Sequence, residues 1–212
     1  MTLNIKLLAL FLMFSFTSLA QENQPIPETE KTQEEEKPSR KFGNINLGLY
    51  TPIAFGDNFV NNGMNLKPGI KFSFKVHIVE NIFIGNYFSF FNASITNSEI
   101  TGYYNNTTNY ILGGVVGYEQ DFDKWSVFVG LGIGYSIYDN NGIGDNFNDT
   151  ATALWFNPEI NYAFSKRFSA FVSPELRHDF MNIEAPSQIK DNFDHVSYLN
   201  IGFGIRLNMG GH

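Results

Sequence analysis

The segment 125–138, WSVFVGLGIGYSIY, decides the predicted fold. Large apolar side chains occupy every second position, and most positions between them hold glycine or serine. The apolar residues are Val127, Val129, Leu131, Ile133, Tyr135 and Ile137, and the small ones are Ser126, Gly130, Gly132, Gly134 and Ser136. Period-2 alternation is typical of a β-strand, and a face of glycine and serine cannot form a soluble core. Because a strand that crosses a bilayer needs about 9–11 residues, the segment predicts a transmembrane strand with its apolar face toward lipid.

The 212-residue chain is acidic and rich in aromatic residues, which excludes several function classes. Its net charge is −7, and 17% of its residues are charged, against roughly 25% in soluble domains. The acidic balance argues against nucleic-acid binding. The absence of cysteine excludes disulfides, thiolate metal sites, a cysteine nucleophile and a lipid-modified N-terminal cysteine. No apolar run beyond residue 20 reaches the ~20 residues of a membrane helix, so the predicted membrane protein must be a barrel.

The N-terminal segments predict export. Residues 1–20 have the features of a signal peptide: Lys6, an apolar run over 7–16, and the small-x-small sequence Ser18-Leu19-Ala20. A membrane anchor is disfavoured because this run is short. Residues 21–41 contain three prolines, six glutamates and no aromatic residue, which predicts a disordered periplasmic leader. This leader could contact the cell wall or a partner protein.

The remaining residues, 42–212, predict an all-β domain, an eight-stranded antiparallel up-and-down transmembrane β-barrel. The predicted strands are 44–50, 70–78, 82–91, 109–119, 125–138, 153–164, 168–179 and 199–208. Strand 82–91 is aromatic on both faces, so its inward face stays unassigned. The short connections are 79–81, 121–124 and 165–167, and the long polar loops are 53–66, 95–107, 139–151 and 180–194. Outer-membrane barrels have short periplasmic turns and long extracellular loops, which places both termini in the periplasm.

Aromatic residues near the ends of these strands predict two girdles at the membrane interfaces. The predicted girdle residues are Trp125, Phe83, Phe164 and Phe168 beside the short turns, and Tyr110, Tyr138, Phe180 and Tyr198 near the long loops. A second local feature is the pair Pro158 and Pro174, which fall opposite each other when the two strands are reflected about Lys166. We expect a local bulge there, with Glu159 and Glu175 pointing inward.

In this pattern of strands and connections, residues 42–208 resemble the small outer-membrane β-barrel family of Gram-negative bacteria, the OmpA- and OmpX-like barrels often labelled porin-like. The resemblance implies a location in the outer membrane, contact with outer-membrane lipid and lipopolysaccharide, and a monomer. The C-terminus departs from the family pattern. Such barrels commonly end on an aromatic residue that the assembly machinery reads, whereas this chain ends Met209-Gly210-Gly211-His212.

Charged residues on the predicted inward faces indicate how the interior is filled. An eight-stranded barrel is only wide enough for side chains. The inward charges are Lys71, Lys75, Arg177 and Arg206 against Glu119, Glu159, Glu175 and Asp179. A balanced set predicts ion pairs that link opposite walls, whereas an ion-selective pore usually has rings of one sign. The first strand has no inward charge, so Arg206 on the last strand is expected to pair across the lumen with Glu159 or Glu175. The predicted function is therefore a non-enzymatic structural or interaction barrel with a charge-plugged interior. A narrow porin-like channel for small solutes or ions is the alternative.

Three other functions are disfavoured by the residues themselves. His195-Val196-Ser197 resembles the His-x-Ser motif of lipid A deacylases, but no acidic residue follows Ser197, and Asp194 would face the opposite side of the strand. We therefore predict no catalytic residue and no cofactor. Loop 139–149 offers oxygen ligands without the spacing of a calcium loop, so no metal is expected. A lipocalin-like soluble barrel would need its apolar face inside.

Overall fold

Eight long antiparallel strands form a closed barrel in the computed structural model, which describes residues 41–142, 146–183 and 190–210. The predicted signal peptide and the predicted leader up to residue 40 lie outside the described residues. The strands are β1 (Lys41–Phe55), β2 (Met64–Leu66), β3 (Gly69–His77), β4 (Ile82–Ile95), β5 (Tyr104–Phe122), β6 (Trp125–Gly142), β7 (Phe147–Ala163), β8 (Phe168–Met181) and β9 (His195–Gly210). Helices α1 (Phe59–Gly63) and α2 (Ser98–Thr101) and a 3-10 helix (Lys190–Asn192) lie in the connections. None of the helices in these ranges is long and apolar enough to cross a membrane.

Apart from the short strand β2, each strand pairs with the strands next to it in the sequence, and β1 also pairs with β9 to close the barrel. The short strand β2 pairs with the end of β4, where Met64 lies opposite Ile95. The remaining eight strands form the predicted all-β, up-and-down antiparallel barrel. The alternation of apolar side chains therefore predicted the correct fold class and strand count.

Several strands continue well beyond their predicted ends. The predicted long loop 139–151 is wrong, because β6 and β7 pair as far as Asn140 and Phe147. The predicted loops 53–66 and 95–107 are also shorter, since they contain α1, β2, α2 and the beginning of β5. Backbone pairing continues above the membrane, where outward side chains need not be apolar, so the apolar pattern marks only the lipid-contacting part of a strand.

The barrel exterior is apolar, as predicted. Leu131 and Ile133 are 62% and 60% exposed at the centre of β6. The predicted girdles are correct only in part. Trp125, Phe164, Phe168, Tyr110 and Phe180 are exposed, whereas Phe83, Tyr138 and Tyr198 are buried inside the barrel. Tyr138 lies on the inward face of its own strand because that strand keeps strict alternation from its first residue.

Pro158 and Pro174 do lie opposite each other, but the predicted bulge is wrong. The pairs Phe156–Leu176 and Ile160–Val172 flank the prolines on both sides in one unbroken register. Neither strand therefore contains an extra residue. Each proline lacks a backbone N–H. Because the two prolines face each other, both strands lack their hydrogen-bond donor at the same place, and the strands keep their register without an extra residue.

Candidate functional site: the barrel interior

All eight predicted charged residues lie inside the barrel, and each is at most 6% exposed. They are distributed over three heights, from the short-turn end to the end of the long connections. A neutral polar or aromatic side chain accompanies the charged groups at every height. Above the three levels lies the mouth of the barrel, at the end of the long connections.

The lower level, nearest the short turns, contains two linked ion pairs. Arg206 Nη2 lies 2.6 Å and 2.8 Å from the two carboxylate oxygens of Glu119. Lys75 Nζ lies 3.3 Å from Glu159, and Asn46 donates to both oxygens of that carboxylate at 3.0 Å. The second nitrogen, Arg206 Nη1, is 3.9 Å from Glu159, so one guanidinium joins the two pairs.

The main partner of Arg206 differs from the expected one. Position along the strands suggested Glu159 or Glu175, but the strand opposite β9 across the lumen is β5, which carries Glu119. The inward-facing His77 also reaches this level, with its Nε2 atom 3.8 Å from Glu119. The predicted set did not include His77, although its place on the inward face of 70–78 was visible in the sequence.

At the middle level, charged groups contact neutral side chains. Lys71 Nζ donates to Ser173 Oγ at 2.6 Å, and that hydroxyl donates to Asn157 at 2.6 Å. Glu175 accepts from Asn200 at 2.7 Å and from the Tyr87 hydroxyl at 3.2 Å. The predicted pairing of positive with negative side chains is therefore wrong for the contacts of Lys71 and Glu175 at this level.

The upper level is built around Arg177 and Asp179, which lie on one strand and on the same face. Their side chains make two contacts, one of them from Arg177 Nε at 2.6 Å. The Tyr138 hydroxyl donates to Asp179 at 2.6 Å and lies 2.8 Å from the Tyr198 hydroxyl. The Tyr198 ring centroid lies 4.7 Å from the guanidinium carbon of Arg177. This ion pair runs along β8 instead of linking opposite walls, contrary to the prediction.

Aromatic rings fill much of the interior, which the sequence did not predict. Phe83 and Phe128 lie 4.4 Å apart between ring centroids, and Lys75 Nζ is 3.6 Å from the Phe128 centroid. Tyr87 and Trp155 form a second pair at 4.8 Å. Phe128 was visible as the one bulky residue within the small-residue face of 125–138. Phe83 and Tyr87 lie on the strand whose inward face could not be assigned.

Apolar residues from the long connections fill the mouth of the barrel. Phe59 and Val60 of α1 are buried, and the Phe59 ring stacks on Phe193 at 5.1 Å. Asn58 fixes the beginning of α1, because its side chain accepts from Asn61 N and donates to Phe55 O, both at 2.9 Å. Phe59, Val60 and Phe193 belong to one apolar cluster. Its other buried members are Tyr50, Met64, Phe91, Ala93, Tyr104, Tyr138, Ala151, Val196 and Tyr198.

The interior leaves little free space at the middle level. The cavity beside Lys71, Trp155 and Glu159 has a free volume of about 10 Å³. A buried water needs about 10–15 Å³ by this measure. This part of the lumen therefore has room for about one water molecule.

Comparison of the sequence with known protein families and with curated proteins gives no match. Among solved structures, Neisserial surface protein A from Neisseria is similar over 82% of this chain and 100% of its own, with 9% identity and a TM-score of 0.59. Ail, the attachment invasion locus protein of Yersinia pestis, covers 79% of this chain and 99% of its own, with 12% identity and a TM-score of 0.49. The N-terminal β-barrel domain of Pseudomonas aeruginosa OprF covers 80% and 100%, with 10% identity and a TM-score of 0.48.

The chain folds as a small outer-membrane β-barrel. The likeness to Neisserial surface protein A carries this assignment of the fold, together with the closed sheet of eight strands. A continuous apolar exterior is the surface that such barrels present to lipid. The fold and this exterior together confirm the expected location in a bacterial outer membrane.

The His-x-Ser motif lies on the outward face of the barrel, where β9 begins. Ser197 Oγ contacts Nδ1 of His178 on the neighbouring strand at 2.9 Å, and His178 rather than His195 is therefore its imidazole partner. Asp179 faces the lumen, so it cannot orient His178. Over the described ranges of the chain, no group of three or more metal-ligating side chains is close enough to hold an ion.

Proposed function

We propose that this barrel is a non-enzymatic outer-membrane protein that is closed to solutes and acts through its extracellular surface. The observation that carries the proposal is the packing of the interior at several successive heights. Ion pairs hold the lower level, a cavity of about 10 Å³ lies in the middle, and an apolar cluster fills the mouth. An ion path would have to break a buried pair and displace α1.

The extracellular surface offers a place for a partner. The strands β5, β6 and β7 have 19, 18 and 17 residues, against about 9–11 needed to cross the bilayer. They therefore extend above the lipid as a small sheet. Beside this sheet Tyr103 is 87% exposed, which is unusual for a large aromatic side chain in a turn. We propose a monomer that contacts outer-membrane lipid and lipopolysaccharide, with a protein partner on this surface or on the leader.

Single-channel recording tests the closed interior. Purified protein refolded into planar bilayers should give no steady conductance steps. Arg206→Ala alone should also stay silent, because the apolar mouth remains closed. The double variant Arg206→Ala/Phe59→Ala, which opens both ends, should give measurable conductance. Arg167→Ala, in an exposed turn, is the matched control for removal of a positive charge.

The alternative function makes the opposite prediction. A narrow channel for small solutes or ions would give uniform, well-resolved steps from the native protein at all salt concentrations. Such steps would overturn the closed-barrel proposal and leave the fold untouched. If the double variant folds and remains silent, another layer of the interior must form the barrier.

A further inference from the structure

A cluster of histidines and one serine lies at the upper border of the apolar exterior. On β8, the outward positions are apolar up to Leu176, and the next outward residue is His178. On β9, the outward positions are apolar down to Leu199, and Ser197 and His195 follow toward the extracellular end. The border between apolar and polar side chains marks the region of lipid headgroups. Both imidazoles therefore lie at headgroup height in the outer leaflet.

The contacts within the cluster leave ligand-binding atoms free. His178 Nδ1 is 2.9 Å from Ser197 Oγ, so this nitrogen is already engaged and Nε2 remains for a ligand. The His178 and His195 rings stack with centroids 5.3 Å apart and planes 24° apart. The edge of Phe180 packs against His178 at 4.6 Å. The exposed His195 and the half-buried His178 thus form one preorganised polar patch beside apolar side chains.

We propose that His178, Ser197 and His195 bind the phosphate group of a phosphorylated lipid in the outer leaflet. A phosphate oxygen can accept from imidazole N–H groups and from a hydroxyl, and protonated imidazoles add favourable charge. The apolar positions below the cluster would contact the acyl chains of the same lipid. The site deepens the proposed contact with outer-membrane lipid and rests on the proposed orientation of the barrel.

The charged groups near this ligand lie on several elements. Asp57 is exposed two residues beyond Phe55, which pairs with Ser197. In the described part of the chain, Asp194 precedes the second histidine and is exposed. Asp179 faces the lumen, where it pairs with Arg177. The neighbouring strand β7 places the uncharged Leu154 opposite His178, and the 3-10 helix Lys190–Asn192 carries one charge of each sign.

Histidine NMR on the full barrel in nanodiscs tests the site. The discs contain neutral phosphatidylcholine with increasing fractions of lipid A, either phosphorylated or treated with a phosphatase. Phosphorylated lipid A should shift the ring resonances of His178 and His195. The variant His178→Gln/His195→Gln, followed through backbone amides of β8 and β9, should bind about tenfold more weakly, as expected for loss of one charge-assisted hydrogen bond.

Matched controls test the location of the site, the phosphate and the lipid one at a time. Thr108→Val removes an outward hydroxyl at the same border on the far side of the barrel, where Thr108 donates to Asn92, and should leave the apparent affinity unchanged. Equal shifts with dephosphorylated lipid A would overturn the phosphate assignment. Equal shifts with inorganic phosphate in lipid-A-free discs would overturn the lipid as its source. Release of fatty acid by the native protein but not by Ser197→Ala would replace binding with hydrolysis. None of these results depends on whether the barrel conducts.

Discussion

Replacement of Arg206 tests the central ion pair of the interior. Arg206→Ala removes two contacts to Glu119, at 2.6 Å and 2.8 Å, from a carboxylate that is only 2% exposed in the native barrel. His77 at 3.8 Å remains as its nearest charged or chargeable neighbour. Glu159 is affected less, because Lys75 and Asn46 still contact it. The expected destabilisation is about 3–5 kcal/mol, the usual result of breaking a buried ion pair.

The assay is urea unfolding of the barrel in lipid vesicles, followed by tryptophan fluorescence. The chain has two tryptophans, one exposed beside a short turn and one inside the barrel. A double-mutant cycle with Glu119→Gln assigns the partner, because the double variant should cost less than the sum of the single ones by at least about 1 kcal/mol. Arg167→Ala, exposed at a turn, should stay within about 0.5 kcal/mol of the native protein.

Two results would refute the reasoning. If Arg206→Ala unfolds within about 1 kcal/mol of the native protein, the guanidinium is not a buried partner. If the cycle shows no coupling to Glu119 but strong coupling to Glu175, the register of the interior is different from that described. Weaker coupling to Glu159, whose nearest oxygen is 3.9 Å away, is expected and supports the proposed arrangement.

Three further predictions concern the exterior, the glycines and the topology. Leu131→Arg, at the centre of the lipid-facing surface, should destabilise the barrel by about 2–4 kcal/mol in the same unfolding assay. Gly132→Ala should destabilise the barrel by about 1–3 kcal/mol, because the added methyl group overpacks against the indole ring of Trp155. In Gly114→Ala the added Cβ would lie 3.8 Å from its nearest neighbour, so the stability should be close to that of the native protein. The chain has no cysteine, so single cysteines can be labelled with a membrane-impermeant thiol reagent on intact cells. Tyr103→Cys should react and Lys166→Cys should not. Labelling of Lys166→Cys alone would mean that the barrel has the opposite orientation.

The sequence was most informative where lipid imposes one rule on every strand. Each outward position must be apolar, so alternation predicted the strand count, the fold and the exposed face of β6. The same alternation predicted that Lys71, Lys75 and Arg206 point inward. Their partners could not be predicted, because strand tilt decides which residues meet across the lumen. Glu119 therefore replaced Glu159 as the main partner of Arg206.

The ends of the strands were harder to predict because lipid no longer constrains them. In 139–151, asparagine and aspartate indicated a loop, yet Thr107 donates to Asn140 at 2.6 Å and Asn140 donates to Asp149 at 2.9 Å across paired strands. In 53–66, polar residues concealed Phe59 and Val60, which are buried in the mouth. The segment 53–66 is rich in asparagine, but its apolar side chains Phe59 and Val60 enter the mouth.

Aromatic rings in the barrel interior pack against glycines, including those on the inner face of β6. A Cβ added to Gly132 would collide with the indole of Trp155, and one added to Gly113 would lie 2.6 Å from the same ring. Gly48 stands in the same relation to Phe171, with a distance of 2.7 Å. Large side chains thus fit against glycines that lie one or two strands away in the sheet, as close packing requires. The glycine and serine face of β6 could not form a soluble core by itself. In the barrel it packs with large side chains of other strands and forms a core with them. This fit between glycines and rings explains how the interior of an eight-stranded barrel can hold both the balanced charges and several large aromatic side chains.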